Sequence, residues 1–319
     1  MSRHLHVLLG VSLLVVLAAI VALLDGGQPP PRPQGVQPLR VVVSFSILGD
    51  LVHQVGGDRV VLTTLVGPEG DAHVYQPTPA DARALGSSDL VVVNGLGFEG
   101  WLDRLVHASG YHGKIVVASD GVVPRRFDAA SAHAGHAHSA LDPHAWQSVP
   151  NVERYVTNIT AALCSADPNG AGIYRANAAA YQRRLRALHA QILHSIAALP
   201  PQRRTIVTSH DAFGYFAATY GLRFEAPQGV STEAEASAHD VARLIAQIRH
   251  DGAAALFVED ITDPRLLQQI ARETGIRIGG TLYSDALSHP RGPASTYLDL
   301  MHHNLTALVQ ALDPARSSQ

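Results

Sequence analysis

Histidine is the residue type that stands out in this sequence. The 319-residue chain contains 18 histidines but two methionines and two tryptophans. Three histidines and one aspartate lie in short polar segments next to predicted strands. Three imidazole nitrogens and one carboxylate oxygen suit a four-coordinate Zn²⁺, so the set predicts a metal site. The four residues are His73 in GDAHVYQPTP, His144 in LDPHAWQ, His210 in TSHDAFGYF and Asp285 in TLYSDALS.

Each of these residues, taken alone, also has an ordinary structural explanation. A single loop histidine is usually solvated or caps a turn, and Asp285 could be a turn or helix-capping residue. The joint pattern favours a metal site, because open α/β sheets bind ligands at the carboxyl ends of their strands. Nearby carboxylates at Asp71, Asp142 and Asp211 are expected to orient the three imidazole rings.

A second histidine group lies in SAHAGHAHSALDPH, which shows no strand or helix pattern. Such a tract is typical of weak metal binding. We expect His133, His136 and His138 to lie on a loop beside the predicted metal site, where they capture ions and pass them to that site. The alternative is an insertion whose histidines are incidental.

Composition excludes several classes of function. The chain has 27 acidic and 24 basic residues, a formal net charge of −3, which is wrong for nucleic-acid binding or a polybasic membrane surface. Cys164 is the single cysteine, so an intrachain disulfide, a cysteine zinc ribbon and a CxxC redox site are excluded.

The elements that position these residues form two similar halves. From Leu39 onward, β-branched runs alternate with helical patterns, which predicts parallel sheets covered by helices. Each half is predicted to hold four strands. The predicted strands are Arg40–Ser46, Val60–Val66, Leu90–Asn94 and Lys114–Ala118, then Thr205–Ser209, Leu222–Ala226, Ala254–Glu259 and Arg277–Leu282. The predicted helices between them are Ile47–Val55, Pro79–Gly86 and Gly97–Ser109, then Ala212–Tyr220, His239–Asp251, Pro264–Thr274 and Ser295–Ala311.

One long helix is predicted between the halves, over Gly172–Leu199. Its apolar residues recur every three or four positions, which indicates a single buried stripe, and Pro200–Pro201 end it. At 1.5 Å per residue it spans roughly 40 Å. We expect a rigid strut between two lobes, the alternative being an ordinary surface helix.

The amino-terminal region is predicted to be a targeting segment. A basic start precedes an 18-residue apolar run, Val7–Leu24, which is typical of an export signal or an uncleaved anchor, with a buried core helix as the alternative. The predicted division of the chain is signal peptide or membrane anchor at 1–25, a Pro-rich spacer at 26–38, the first α/β lobe at 39–166, the linking helix at 167–200 and the second α/β lobe at 201–319. No cysteine lies near Leu24, so we expect a periplasmic or extracytoplasmic protein that is not a lipoprotein.

The four segments resemble the metal-binding cluster of ABC-transporter solute-binding proteins, the zinc and manganese receptors. GDAHVYQPTP is similar to the family's D-P-H-x-Y-E-P-T-P segment, with Ala72 replacing proline and Gln76 replacing glutamate. LDPHAW resembles its D-P-H-x-W segment, SHDAFGYFAATYGL its third, and ETG followed by LYSDALS its fourth. The resemblance implies two α/β lobes bridged by one long helix. It also implies the metal ligands His73, His144, His210 and Asp285.

The resemblance further implies a receptor, not an enzyme, that delivers Zn²⁺ to an ABC permease and its ATPase. Manganese receptors of the family often carry glutamate at the third ligand position, where this chain has His210, and imidazole suits zinc. The alternatives are a Mn²⁺ or Fe²⁺ receptor, a zinc hydrolase with a metal-bound water, and a metal buffer or adhesin. We also expect a monomer that contacts the membrane through its N-terminal segment alone and binds no nucleic acid.

Overall fold

Two stretches of the chain, residues 37–126 and 141–313, are described by the computed structural model. The predicted N-terminal targeting segment lies outside the described residues. So do the residues of the predicted capture loop, His133, His136 and His138. Within the described stretches, no helix combines the length and apolar character needed to cross a membrane.

Short runs of valine and leucine build the first of two sheets. Its central strands are β1 (Leu39–Phe45) and β3 (Leu90–Val93), and every residue of β3 is buried. Helices cover both faces of a parallel sheet, so its central strands are apolar along their length and do not alternate. The edge strands are β2 (Val60–Val66) and β4 (Lys114–Val117), which gives the parallel order β2-β1-β3-β4.

The second sheet repeats this topology. Its strands are β5 (Thr205–Val207), β6 (Arg223–Glu225), β7 (Ala255–Glu259) and β8 (Ile278–Leu282). They pair in parallel in the order β6-β5-β7-β8, which is the order of the first sheet shifted by four strands. The predicted α/β class with two four-stranded parallel sheets is confirmed.

The described helices begin at recognisable capping residues in several places. Thr78 accepts the backbone N–H of Asp81, the Asp81 carboxylate accepts the backbone N–H of Thr78, and Pro79 takes the first helical position. This capping box satisfies donors that the first helical turn leaves unpaired. The helices are α1 (Ser46–Gly56), α2 (Pro79–Gly86), α3 (Leu102–Ser109), α4 (Val149–Ala166), α5 (Ala171–Ala197), α6 (Gly214–Tyr220), α7 (Ala238–Asp251), α8 (Arg265–Thr274) and α9 (Tyr297–Leu312).

The long helix α5 links the two lobes, as predicted. It is 27 residues long, and its buried residues recur at spacings of three or four, from Tyr174 to Ile196. That face packs against α1 and α4 of the first lobe and against α6 and α9 of the second. The helix ends before Pro200 and Pro201, which cannot continue it. The helix is therefore a strut that shares its buried side with both lobes.

One predicted helix begins later than expected. The pattern over Gly97–Ser109 predicted a helix from Gly97, but α3 begins at Leu102. Gly97 itself has a φ angle of 83°, after 84° at Gly95 and 56° at Leu96, and a residue with positive φ cannot begin a right-handed helix. Glu99, buried in this loop, accepts the backbone N–H of Gly95 at 3.1 Å and stabilises the loop conformation.

The larger of two hydrophobic clusters among the described residues runs through both lobes and α5. The buried residues of the first sheet, α5, α9 and most of the second lobe belong to one contiguous cluster. The smaller cluster lies among β5, β7, α7 and α8 of the second lobe. The lobes are therefore joined by shared apolar packing as well as by the chain.

We predict that Leu185→Ala destabilises the protein by about 2–5 kcal/mol, because Leu185 on α5 is fully buried and its truncation leaves a cavity in the shared core. The matched control is Leu193→Ala on the same helix, where the side chain is 41% exposed and the cost should stay within about 0.5 kcal/mol. Urea unfolding followed by circular dichroism measures both. Equal midpoints for the two variants would contradict the assignment of the buried face.

Candidate metal centre

Four loops carry the candidate site. His73 lies on the loop after β2, and His144 immediately precedes a short 3₁₀ turn, Ala145–Gln147. His210 lies three residues after β5, and Asp285 three residues after β8. The first lobe thus contributes two imidazoles, and the second contributes an imidazole and a carboxylate. The site lies between the lobes at the carboxyl ends of their strands.

The four side chains converge through their Nε2 atoms and one carboxylate oxygen. Asp285 Oδ2 lies 3.2 Å from His73 Nε2, 3.6 Å from His144 Nε2 and 3.3 Å from His210 Nε2. The Nε2 atoms of His73 and His144 are 3.3 Å apart. Candidate ligand atoms from all four residues lie within 4.8 Å of one another. A tetrahedral ion with bonds of about 2.0–2.1 Å holds its ligand atoms about 3.3 Å apart, so the geometry fits a small divalent cation.

The candidate ligands are shielded from water. His73 is 7% exposed, and His144, His210 and Asp285 are fully buried. The Phe98 ring packs against the His73 ring at 4.8 Å between centroids. Electrostatic interactions are stronger in such an environment than in water, so the charge balance of the site becomes decisive.

Asp142 orients the His144 ring, as predicted. Asp142 Oδ1 accepts the backbone N–H of His144 at 3.0 Å and lies 2.9 Å from His144 Nδ1. A proton held on Nδ1 leaves the lone pair of Nε2 facing the shared point. The Asp142 carboxylate fits here because residue 214 is a glycine, since a Cβ at that position would lie 2.6 Å from Asp142 Oδ2.

Glu259 fills the same role for His210, and sequence reasoning missed it. Its Oε1 accepts the backbone N–H groups of Ser209 and His210 at 2.8 and 2.9 Å, and its Oε2 lies 2.7 Å from His210 Nδ1. Asp211 was expected here, but Glu259 lies against the ring nitrogen, and the backbone N–H of Asp211 donates to Gly229 O. An acidic residue that ends an otherwise apolar buried strand, Ala255–Glu259, was the available signal.

Asp71 supports His73 through the backbone, which differs from the predicted contact with the ring. Asp71 Oδ1 accepts the backbone N–H of His73 at 2.9 Å. The preceding carbonyl, Ala72 O, accepts a hydrogen bond from Trp101 Nε1 at 2.8 Å. These two bonds fix the backbone of the loop on both sides of the Cα atom of His73.

Asp285 brings a buried negative charge to the site. Both of its carboxylate oxygens are buried, and neither accepts a hydrogen bond from the described residues. Its neighbour Ser284 anchors the loop, because Ser284 O accepts hydrogen bonds from Trp146 Nε1 and Gln147 Nε2 at 2.9 and 2.7 Å. A buried carboxylate without hydrogen-bond donors needs a cation beside it. This donor set therefore fits a metal ion.

The electrostatics of the metal-free site follow from the same packing. Burial lowers the pKa of His144, but the carboxylates of Asp285 and Asp142 outweigh it and raise that pKa to about 9. Burial likewise lowers the pKa of His210, and Glu259 and Asp285 raise it well above its usual range. Burial raises the pKa of Asp285, but His144 and His210 outweigh it and hold that pKa far below its usual range. Protons on His144 and His210 thus offset the charge of Asp285 when no cation is bound.

Comparison with known proteins places the chain in a defined group. The family model described as "ZnuA: Zinc-uptake complex component A periplasmic" matches residues 41–311. The manganese-binding lipoprotein MntA of Halalkalibacterium halodurans is 33% identical over 301 residues, covering 94% of this chain and 97% of the relative. The iron-binding protein YfeA of Yersinia pestis is 31% identical over 271 residues, covering 85% of both proteins.

Solved structures have the same fold. The periplasmic zinc-binding protein TroA from Treponema pallidum superposes with a TM-score of 0.79 at 31% identity, covering 86% of this chain and 99% of that one. The manganese-bound periplasmic metal-binding protein from Candidatus Liberibacter asiaticus gives a TM-score of 0.76 at 33% identity, with the same coverage.

The relatives correct one prediction. We expected a protein that is not a lipoprotein, but the relatives from H. halodurans, Bacillus subtilis and two streptococci are named lipoproteins. The prediction that the chain is not a lipoprotein is therefore wrong. It rested on the absence of a cysteine near Leu24, and such an absence does not establish how a protein is attached to a membrane.

We predict that Zn²⁺ affinity keeps rising at pH values above those at which an ordinary histidine loses its proton. The ion must displace the proton of His144, whose pKa is about 9 in the metal-free site, so binding weakens progressively as pH falls below about 9. Chelator competition at pH 6.0, 7.5 and 9.0 measures the affinity. An affinity that levels off above pH 7.5, as expected for an imidazole with a pKa of about 6.5, would contradict this electrostatic balance.

We predict that Glu259→Gln lowers Zn²⁺ affinity about 10–100-fold. An amide nitrogen facing His210 Nδ1 would donate a hydrogen bond, which moves the ring proton to Nε2 and blocks the lone pair that faces the site. The matched control is Glu273→Gln, because the Glu273 carboxylate pairs with Gln269 on the exposed face of α8. Calorimetric titration measures both variants, and wild-type affinity in Glu259→Gln would exclude the proposed role.

Proposed function

Because this chain belongs to the zinc-uptake component A family of metal-binding solute receptors for ABC transporters, we propose that it captures Zn²⁺ for import. The observation that carries the proposal is the group of four buried ligand atoms drawn from two lobes. The metal is the transported cargo. Binding links loops of both lobes through one ion, and the metal-bound form is the one that the permease and its ATPase receive.

The donor set supports zinc as the cargo. Three imidazole nitrogens and one carboxylate oxygen match Zn²⁺, and nitrogen-rich sites bind Zn²⁺ more tightly than Mn²⁺ or Fe²⁺. The 3.2–3.6 Å distances from Asp285 Oδ2 to the three Nε2 atoms suit the short bonds of a tetrahedral ion. Because relatives are named for manganese, iron and zinc, zinc itself is our proposal.

A manganese or iron receptor is the second candidate, and one atom favours it. Asp285 Oδ1 is buried and accepts no hydrogen bond from the described residues, so this carboxylate could bind an ion through both oxygens. Five ligand atoms suit larger or harder ions better than Zn²⁺, which prefers four. The choice between the cargo ions therefore depends on whether Asp285 binds through one oxygen or two.

A receptor fits this site better than a zinc hydrolase does. Catalytic zinc sites use three protein ligands and keep a fourth position for water. Here four protein atoms already surround the position of the ion. One of them is Asp285 Oδ2, at 3.2 Å from His73 Nε2, which takes the place that a water would need. Family members are solute-binding receptors, in agreement with this chemistry.

Several assignments outside the site are part of the proposal. We assign residues 1–25 to an export segment or anchor, 26–38 to a spacer, 39–166 and 201–319 to the lobes, and 167–200 to the linking helix. The tract with His133, His136 and His138 is assigned to ion capture. We also propose that the receptor acts as a monomer.

We predict that wild-type protein stripped of metal binds one Zn²⁺ and prefers it over Mn²⁺. We also predict that Asp285→Asn weakens Zn²⁺ binding about 100-fold or more, because the amide lacks the negative charge of the carboxylate. The matched control is Asp263→Asn, whose carboxylate forms an exposed pair with Arg265. Calorimetric titration with Mn²⁺ competition measures all three proteins. Preference for Mn²⁺ in the wild type would favour the second candidate, whereas unchanged zinc binding in Asp285→Asn would overturn the site itself.

A further inference from the structure

One hydrogen bond joins loops of different lobes at the edge of the site. Thr232 Oγ1, in the second lobe, donates to Asp71 Oδ2, in the first lobe, at 2.6 Å. The other oxygen of the same carboxylate, Asp71 Oδ1, accepts the backbone N–H of His73 at 2.9 Å. Asp71 therefore connects the Thr232 hydroxyl directly to the backbone of a candidate ligand.

The loop that carries Thr232 is also tied to a second candidate ligand. We call residues 226–237, between β6 and α7, the rim loop. His210 and Gln228 form an isolated parallel bridge, and the backbone N–H of Asp211 donates to Gly229 O at 3.1 Å. The rim loop thus begins beside His210 and, through Thr232, reaches the loop of His73. It is a strap between ligand loops of the two lobes.

We propose that Thr232 is a positioning residue that latches this strap and so slows release of the metal. Its hydroxyl holds Asp71, and Asp71 holds the His73 backbone in the position where Nε2 reaches the shared point. His73 is the most exposed of the four candidate ligands, at 7%, and it lies on the loop that the latch restrains. The ion can therefore leave most readily by parting His73 from the others, which requires the latch to open.

The hydroxyl of Thr232 is the group that matters. Valine has nearly the shape of threonine but cannot donate a hydrogen bond, whereas serine keeps the donor. A hydrogen bond to a charged carboxylate is among the stronger ones in proteins, and losing it should speed dissociation roughly tenfold. Ser231→Ala is the matched control, because the Ser231 hydroxyl accepts the backbone N–H of Glu233 within the same loop.

The experiment measures the rate at which the full-length protein releases Zn²⁺ into excess chelator, by stopped flow, together with the association rate and the urea midpoint of metal-free protein. We expect Thr232→Val to release Zn²⁺ roughly tenfold faster with a nearly unchanged association rate, and Thr232→Ser and Ser231→Ala to match the wild type. In an Asp71→Ala background, Thr232→Val should have no further effect, since the two residues act as one unit.

The possible outcomes separate this inference from the proposed function on which it rests. Zn²⁺ binding in the wild type, with equal release rates for wild type and Thr232→Val, would overturn the latch and leave the receptor assignment intact. Faster release by Ser231→Ala, or additive effects of the Thr232 and Asp71 substitutions, would likewise overturn it by indicating general loosening of the loop. Failure of the wild type to bind either Zn²⁺ or Mn²⁺ would overturn both.

Discussion

A buried carboxylate that faces three imidazoles is the constraint on which the rest of this structure depends. Asp285 is fully buried, and the described residues donate no hydrogen bond to it. Removing such a charge from water costs several kcal/mol unless positive charge compensates it. Protons on His144 and His210 can do so in the metal-free protein, and a divalent ion can do so in the bound one. In the proposed function the protein exchanges protons for metal at one point, and the Asp285 carboxylate is stabilised in both states.

Each lobe orients one imidazole ring with a carboxylate, and the arrangement is the same in both lobes. In the first lobe Asp142 accepts the backbone N–H of His144 and faces its Nδ1, and in the second Glu259 does the same for His210. Both arrangements hold the backbone and the ring with one carboxylate, so Nε2 is left to face the metal. Glu259 ends β7 and His210 follows β5, whereas the loop of Asp142 and His144 is held to the end of β3 by the hydrogen bond from Asn94 Nδ2 to Pro143 O at 2.9 Å. A rigid frame of strands thus sets distances that flexible side chains could not hold alone.

The parts of this structure that could be predicted from sequence are those recorded in local patterns. Apolar runs predicted the sheets, and a stripe with a period of three or four residues predicted α5. The apolar strand that Glu259 ends marks it as a buried carboxylate, but no local pattern could pair it with His210, which lies 49 residues away in the chain. Asp211 is adjacent to His210 in the sequence, but it is the Glu259 carboxylate that lies against His210 Nδ1. The helix predicted from Gly97 begins later for a related reason, since Gly97 has a positive φ angle in a loop that the buried Glu99 carboxylate holds by hydrogen bonds.

The continuous core determines where this receptor can move. Because α5 and α9 belong to the same buried cluster as the first sheet, a large rotation of one lobe would expose apolar surface at about 25 cal/mol for each Å². α9 is also held to the first lobe by its backbone, since the Tyr297 N–H donates to Asp50 Oδ2 at 2.8 Å. Opening a surface loop breaks a few hydrogen bonds and exposes little apolar area, so its cost is far lower. In the proposed function we therefore expect metal exchange to involve the rim loop and the loop of His73, while α5 keeps the two sheets in a fixed relation.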